Sequence, residues 1–94
     1  MSLETARTNF MKRDMGKQIV VIDSGFVHVG DCYLDGEMLR IENCVNIRRW
    51  GTTKGLGELI AGPKKETVAD HCGLVLVPIG RVVFFLKVVG GWDV

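Results

Sequence analysis

Phe26-Val27-His28-Val29-Gly30-Asp31-Cys32-Tyr33-Leu34, then Asp35-Gly36, then Glu37-Met38-Leu39-Arg40-Ile41-Glu42-Asn43-Cys44 is the stretch whose reading decides the fold. Two runs of strand character flank an Asp-Gly pair, the strongest short-range hairpin signal, because both residues of such a loop take φ > 0. With Asp35-Gly36 at the tip, Leu34 faces Glu37, Cys32 faces Leu39, Gly30 faces Ile41 and His28 faces Asn43 on one side. On the other side Tyr33 faces Met38, Asp31 faces Arg40 and Val29 faces Glu42. Cys32, Leu34, Leu39 and Ile41 then make the inner face, and Asp31 with Arg40 makes a cross-strand ion pair on the outer one.

Working outward, Ile19-Val20-Val21-Ile22 is a β-branched run closed by the turn cluster Asp23-Ser24-Gly25, a first strand. Ahead of it, residues 1–16 show no sustained period and read as a leader, flexible or a short helix, before a single small β-rich domain over 17–94. Beyond the hairpin, Val45, Ile47 and Arg49 alternate with Asn46, Arg48 and Trp50, a further short strand or a bulged continuation of the last. Gly51 turns the chain, Thr52 or Thr53 caps a short helix around 54–61, and Leu56, Leu59 and Ile60 form its apolar stripe before Gly62-Pro63 stops it. That stripe is expected to cover the inner face of the hairpin. Thr67 to Cys72 reads as a connection with room for one helical turn. Leu74–Val77 and Val82–Val89, joined across Pro78-Ile79-Gly80, are the last strands. The fold class is therefore mainly β: a small five- to six-stranded antiparallel barrel or bent sheet with one short helix.

The 94 residues suffice for one domain and one small core. The net charge of +1 argues against a general nucleic-acid coat but hides segregation. Residues 18–47 carry five acids against Arg40, whereas residues 48–65 carry Arg48, Arg49, Lys54, Lys64 and Lys65 against Glu58. Cys32, Cys44 and Cys72 are odd in number at no framework spacing, which points to a reducing cytosol. The apolar run from Gly73 to Val89 is broken by Pro78, Gly80, Arg81 and Lys87, short of the roughly 18–20 uninterrupted residues a spanning helix needs. No membrane contact is expected.

The glycine-rich turn Gly51 to Gly57 invites comparison with a phosphate cradle, yet Lys54 precedes Gly55 and no hydroxyl follows it, as a G-x-x-x-x-G-K-[ST] loop requires. A dinucleotide G-x-G-x-x-G fails too, for want of a third glycine. Arg48, Arg49, Trp50, Lys54, Lys64 and Lys65 remain as a candidate surface for nucleic acid or another anionic ligand, with Trp50 available to stack a base. Strand alternation weakens it by sending Arg48 and Arg49 to opposite faces. Asp70-His71-Cys72 sets a thiol beside an imidazole, but neighbours on a strand point apart, and a working pair needs His28 brought to within about 3 Å by the fold. His28, Cys32, Cys44, His71 and Cys72 contain no Cys-x-x-Cys knuckle. No catalytic residue, metal ligand or cofactor is assigned on this basis.

Arg48-Arg49-Trp50-Gly51-Thr52-Thr53-Lys54-Gly55-Leu56-Gly57-Glu58-Leu59, followed by Gly62-Pro63, Thr67, Asp70, Cys72-Gly73 and Val77-Pro78, resembles small uncharacterised proteins of tailed phages and prophages. In these a Gly-Phe/Val-His-x-Gly segment, here Gly25 to Gly30, precedes an Arg-x-Trp-Gly motif and a Gly-Leu-Gly helix. The resemblance covers about Gln18 to Trp92. It implies a viral gene product acting in a bacterial cytosol and carries no assigned activity. The expectation is a non-enzymatic protein that acts by binding or assembly. It would be a homo-oligomer joined through Val82, Phe84, Phe85 and Leu86, with nucleic acid or a host protein as other partners.

Overall fold

The computed structural model describes residues 12–92. Five antiparallel strands form one sheet: β1 (Lys12–Ile22), β2 (Val27–Asp35), β3 (Met38–Arg49), β4 (Val68–Pro78) and β5 (Val82–Lys87), in the order β4-β3-β2-β1-β5. The mainly β expectation holds, and the sheet is not closed into a barrel. β1 starts at Lys12, ahead of the domain start expected at Lys17. It absorbs the end of the expected leader through a bulge at Gly16, whose N–H is held by Asp14 Oδ1 at 2.8 Å. The rest of that leader, 1–11, lies outside the described residues. The segment Val68 to Cys72, expected as a connection, is the first half of β4.

The hairpin forms with a different turn. Asp35 pairs with Met38, Leu34 with Leu39 and Cys32 with Ile41, so Gly36-Glu37 is the loop and only Gly36 of the two takes a positive φ, +61°. Turns that put glycine first need nothing special of the second residue. The partners have moved by two positions, which preserves the faces. Cys32, Leu39 and Ile41 are all fully buried as expected, with Leu34 half-buried. The expected Asp31–Arg40 pair does not form. Arg40 Nε meets Glu42 Oε2 at 2.9 Å, while Asp31 accepts from Asn43 Nδ2 at 3.1 Å and pairs with Lys17 Nζ at 3.7 Å.

A bulge then reverses the alternation. Ile41 and Cys44 are three residues apart and would point to opposite faces of a regular strand. Asn43 instead takes φ +49°, in the left-handed region that asparagine tolerates, and the ladder resumes with Val29 opposite Val45 and His28 opposite Asn46. β4 carries a matching irregularity at Gly73, φ +73°, so the two strands change face together.

The consequence is two core clusters. One gathers Val20, Cys32, Leu39, Ile41, Cys44 and Val77, with Phe85, Val82 and Val75 packed at its margin. The other gathers Ile19, Val27, Val29, Val45, Ile47, Leu56, Leu59 and Trp92. The expected short helix is a 3-10 helix, Leu56–Ala61, whose three-residue repeat places Leu56 and Leu59 one above the other. It covers the second cluster rather than the hairpin face around Cys32 and Ile41. The expected cover followed an unbroken alternation, and the Asn43 bulge brings Val45 and Ile47 beneath the helix instead. The C-terminal segment fastens it, since Val89 N–H donates to Ile60 O at 2.7 Å and Trp92 Nε1 to Leu59 O at 2.6 Å.

The sheet bends sharply. β2 alone is about 27 Å long at its usual rise. Yet the 3-10 turn Ile79–Arg81 bridges its two ends, with Ile79 N–H on Glu37 O and Asp23 N–H on Arg81 O, both at 2.8 Å. Three residues reach only about 10 Å, so the hairpin tip must curl back toward the β1–β2 turn. An ion pair from Arg81 to Asp23 at 3.1 Å closes the same joint. β4 and β5 thus end up as the two edges of a bent sheet, each paired on one side only among the described residues.

Candidate functional site

Three surfaces carry chemistry. The first is the pair of edge strands. Leu74 and Leu76 on β4 are 52% and 58% exposed, and Val83 and Phe84 on β5 are 60% and 45% exposed. Of the expected interface residues, Phe84 points outward. Val82 and Phe85 pack against one core cluster and Leu86 against the other, all half-buried. Leu74, Leu76 and Val83, which lie in the same apolar runs Leu74–Val77 and Val82–Val89, are exposed as Phe84 is. The apolar run signalled two-sided burial, but an edge strand of a five-stranded sheet covers only one side.

The second is the glycine-rich turn. The backbone N–H groups of Thr53 and Lys54 both donate to Glu58 Oε2, the former at 3.0 Å, and Thr53 Oγ1 donates to the same oxygen at 3.4 Å. A carboxylate of the chain itself occupies the donors that an external phosphate would need, which explains in structural terms why the spacing fits no phosphate motif. The turn of Lys64 and Lys65 is fastened beside Trp50, because Thr67 Oγ1 donates to Trp50 O at 2.6 Å and accepts from Lys64 N at 2.8 Å. Trp50 is 42% exposed, and Lys54, Lys64 and Lys65 are exposed. Arg48 and Arg49, expected on opposite faces, line one cleft of about 230 Å³ together with Val68. The register slips between Ile47 and Arg49 at the frayed end of β3, which relaxes the alternation. Arg48 is tied to Asp70 at 3.0 Å, whereas no ion pair reaches Arg49 among the described residues.

The third is a cluster of His28, Cys44 and Cys72 on neighbouring strands β2, β3 and β4. His28 Nδ1 lies 3.5 Å from Cys44 Sγ and 4.0 Å from Cys72 Sγ, and the three ligand atoms all fall within 4.8 Å of one another. Cys72 Sγ also donates to Cys44 O at 3.4 Å. Cys44 is fully buried, His28 half-buried and Cys72 exposed, so the group runs from the core to the surface. Burial lowers the His28 pKa, favouring the neutral imidazole, and pushes the Cys44 thiol up. Cys32, also weighed in the sequence, stays apart: its Sγ donates to Gly30 O at 3.5 Å and burial pushes its pKa up to about 12. His71 pairs with Val45 of the other core cluster and so faces away. The sequence placed His28 opposite Asn43, and only the bulge at Asn43 carries Cys44 around to it.

No family model matches the chain, and no curated protein matches it.

Proposed function

We propose that the protein acts by binding and assembly, and that it self-associates through the edges of its bent sheet. The observation that carries this is the exposure of Leu74, Leu76, Val83 and Phe84 on the two strands whose outer edges pair with no strand among the described residues. Edge strands of stable monomers are blunted by lysine, proline or a covering segment, and apolar exposed ones invite pairing with another chain. Here Pro78 and Lys87 stand only at the strand ends, which leaves the middle of each edge open. Homo-oligomerisation satisfies both the apolar side chains and the backbone groups. A place among phage or prophage products in a bacterial cytosol is the setting that the sequence resemblance suggests. Leu76→Glu and Phe84→Glu, each of which adds charge to an edge without touching a core cluster, are expected to shift the protein to monomer while leaving the far-ultraviolet dichroism unchanged. An oligomer indifferent to both substitutions would contradict the reading.

A second reading, binding of single-stranded nucleic acid or another anionic ligand, has one observation in its favour, the joint lining of a single cleft by Arg48 and Arg49 next to Trp50. Its expected result is a salt-sensitive shift of single-stranded DNA that Arg49→Glu abolishes. Absence of binding at low salt ends this reading.

A further inference from the structure

We infer that His28, Cys44 and Cys72 form a binding site for a tetrahedral, thiolate-seeking divalent cation, zinc in the first instance. Zn–S bonds of about 2.3 Å and Zn–N bonds of about 2.0–2.1 Å set sulfur and nitrogen ligands about 3.5 Å apart around a tetrahedral ion, and two sulfurs about 3.8 Å apart. The observed Nδ1–Sγ separations of 3.5 and 4.0 Å, with all three atoms within 4.8 Å, are already near that arrangement. Small side-chain rotations close the remainder. One imidazole and two thiols are also the ligand set that borderline-soft zinc prefers over calcium or magnesium, which take oxygen.

Each ligand comes from a different strand, so the geometry is set by the sheet rather than by a flexible loop. The bulges at Asn43 and Gly73 turn Cys44 and Cys72 to the face of His28, a use of bulges common beside functional sites. On binding, Cys44 and Cys72 each lose the thiol proton to solvent and both sulfurs become ligands to the ion, while neutral His28 donates the Nδ1 lone pair. Three protein ligands leave a fourth position, on the side where Cys72 is exposed, for water or a ligand from outside.

The test uses the full chain, reduced and stripped of metal with a chelator, titrated with cobalt(II) and, separately, zinc(II). Expected are the visible absorption of tetrahedral cobalt with a thiolate charge-transfer band, saturation at one ion per chain, and a higher thermal midpoint with zinc. One equivalent of zinc should also protect Cys72 from alkylation. Cys72→Ser, at an exposed position that leaves the core intact, should weaken zinc binding by more than about a hundredfold, beyond what loss of a supporting partner causes. His71→Gln, on the opposite face, should bind as the unaltered chain does. Absence of the tetrahedral spectrum, undiminished affinity in Cys72→Ser, or an equal loss in His71→Gln would overturn the site.

Discussion

Trp92→Ala is expected to lower the unfolding free energy by about 3–5 kcal/mol, the range for removing a large buried aromatic. A domain of this size carries roughly 5–14 kcal/mol in all, so the variant should be marginal at room temperature. Trp92 is only 7% exposed and belongs to the buried cluster of Ile19, Val29, Val45 and Leu59. Its Nε1–H also donates to Leu59 O at 2.6 Å, and its own carbonyl accepts from Lys17 Nζ at 3.0 Å. Trp92→Phe keeps most of the apolar contact and removes one hydrogen bond, while Leu59 O keeps the Gly62 N–H at 3.1 Å, so it should cost only about 0.5–1.5 kcal/mol. Urea unfolding followed by far-ultraviolet dichroism reads both, because that signal does not depend on the tryptophan the substitutions remove. A near-normal midpoint for Trp92→Ala would mean that the C-terminal segment does not close the core.

Gly51→Ala should be nearly as severe, about 3 kcal/mol or more, through strain and displaced backbone together. Gly51 has φ +67°, and a Cβ placed there would lie 2.3 Å from the carbonyl carbon of Glu66 and 2.5 Å from the nitrogen of Thr67. Neither atom belongs to a flexible side chain. Moving that peptide would loosen Thr67, whose hydroxyl fastens the Lys64–Lys65 turn to Trp50. Gly57, in the same glycine-rich stretch, has ordinary φ and nothing within 4 Å of a would-be Cβ, so Gly57→Ala should change stability by about 0.5 kcal/mol or less. Equal effects at the two positions, measured by denaturant unfolding, would refute the role of Gly51 in turning the chain against the 64–67 turn.

These expectations also mark what the sequence discloses. The strand-rich class and the hairpin are legible because Asp35-Gly36 sits between two runs of strand character, and Gly36 does occupy the tip. The identity of the outward and inward residues on the first half of the hairpin is legible too, since a two-residue slip leaves Cys32, Leu39 and Ile41 facing inward. The bulge at Asn43 is not. Asparagine tolerates the left-handed conformation but does not by itself demand it, and the bulge here seats Val45 and Ile47 against Leu56 and Leu59. From that one residue follow the wrong cover for the hairpin face and the unseen convergence of His28, Cys44 and Cys72. Val68 to Cys72 escapes as a strand for a related reason, because Ala69, Asp70 and His71 are exposed on an edge and lack the apolar alternation that reveals a buried strand. Trp92, beyond a Gly-Gly pair, likewise offers no periodicity to place it in a core.

Self-association through the two open edges of the sheet is tested most directly by light scattering after size exclusion at micromolar concentration. The predicted result is a mass that is a whole multiple, two or higher, of the 10.4 kDa chain. A single species at 10.4 kDa would contradict assembly through β4 and β5.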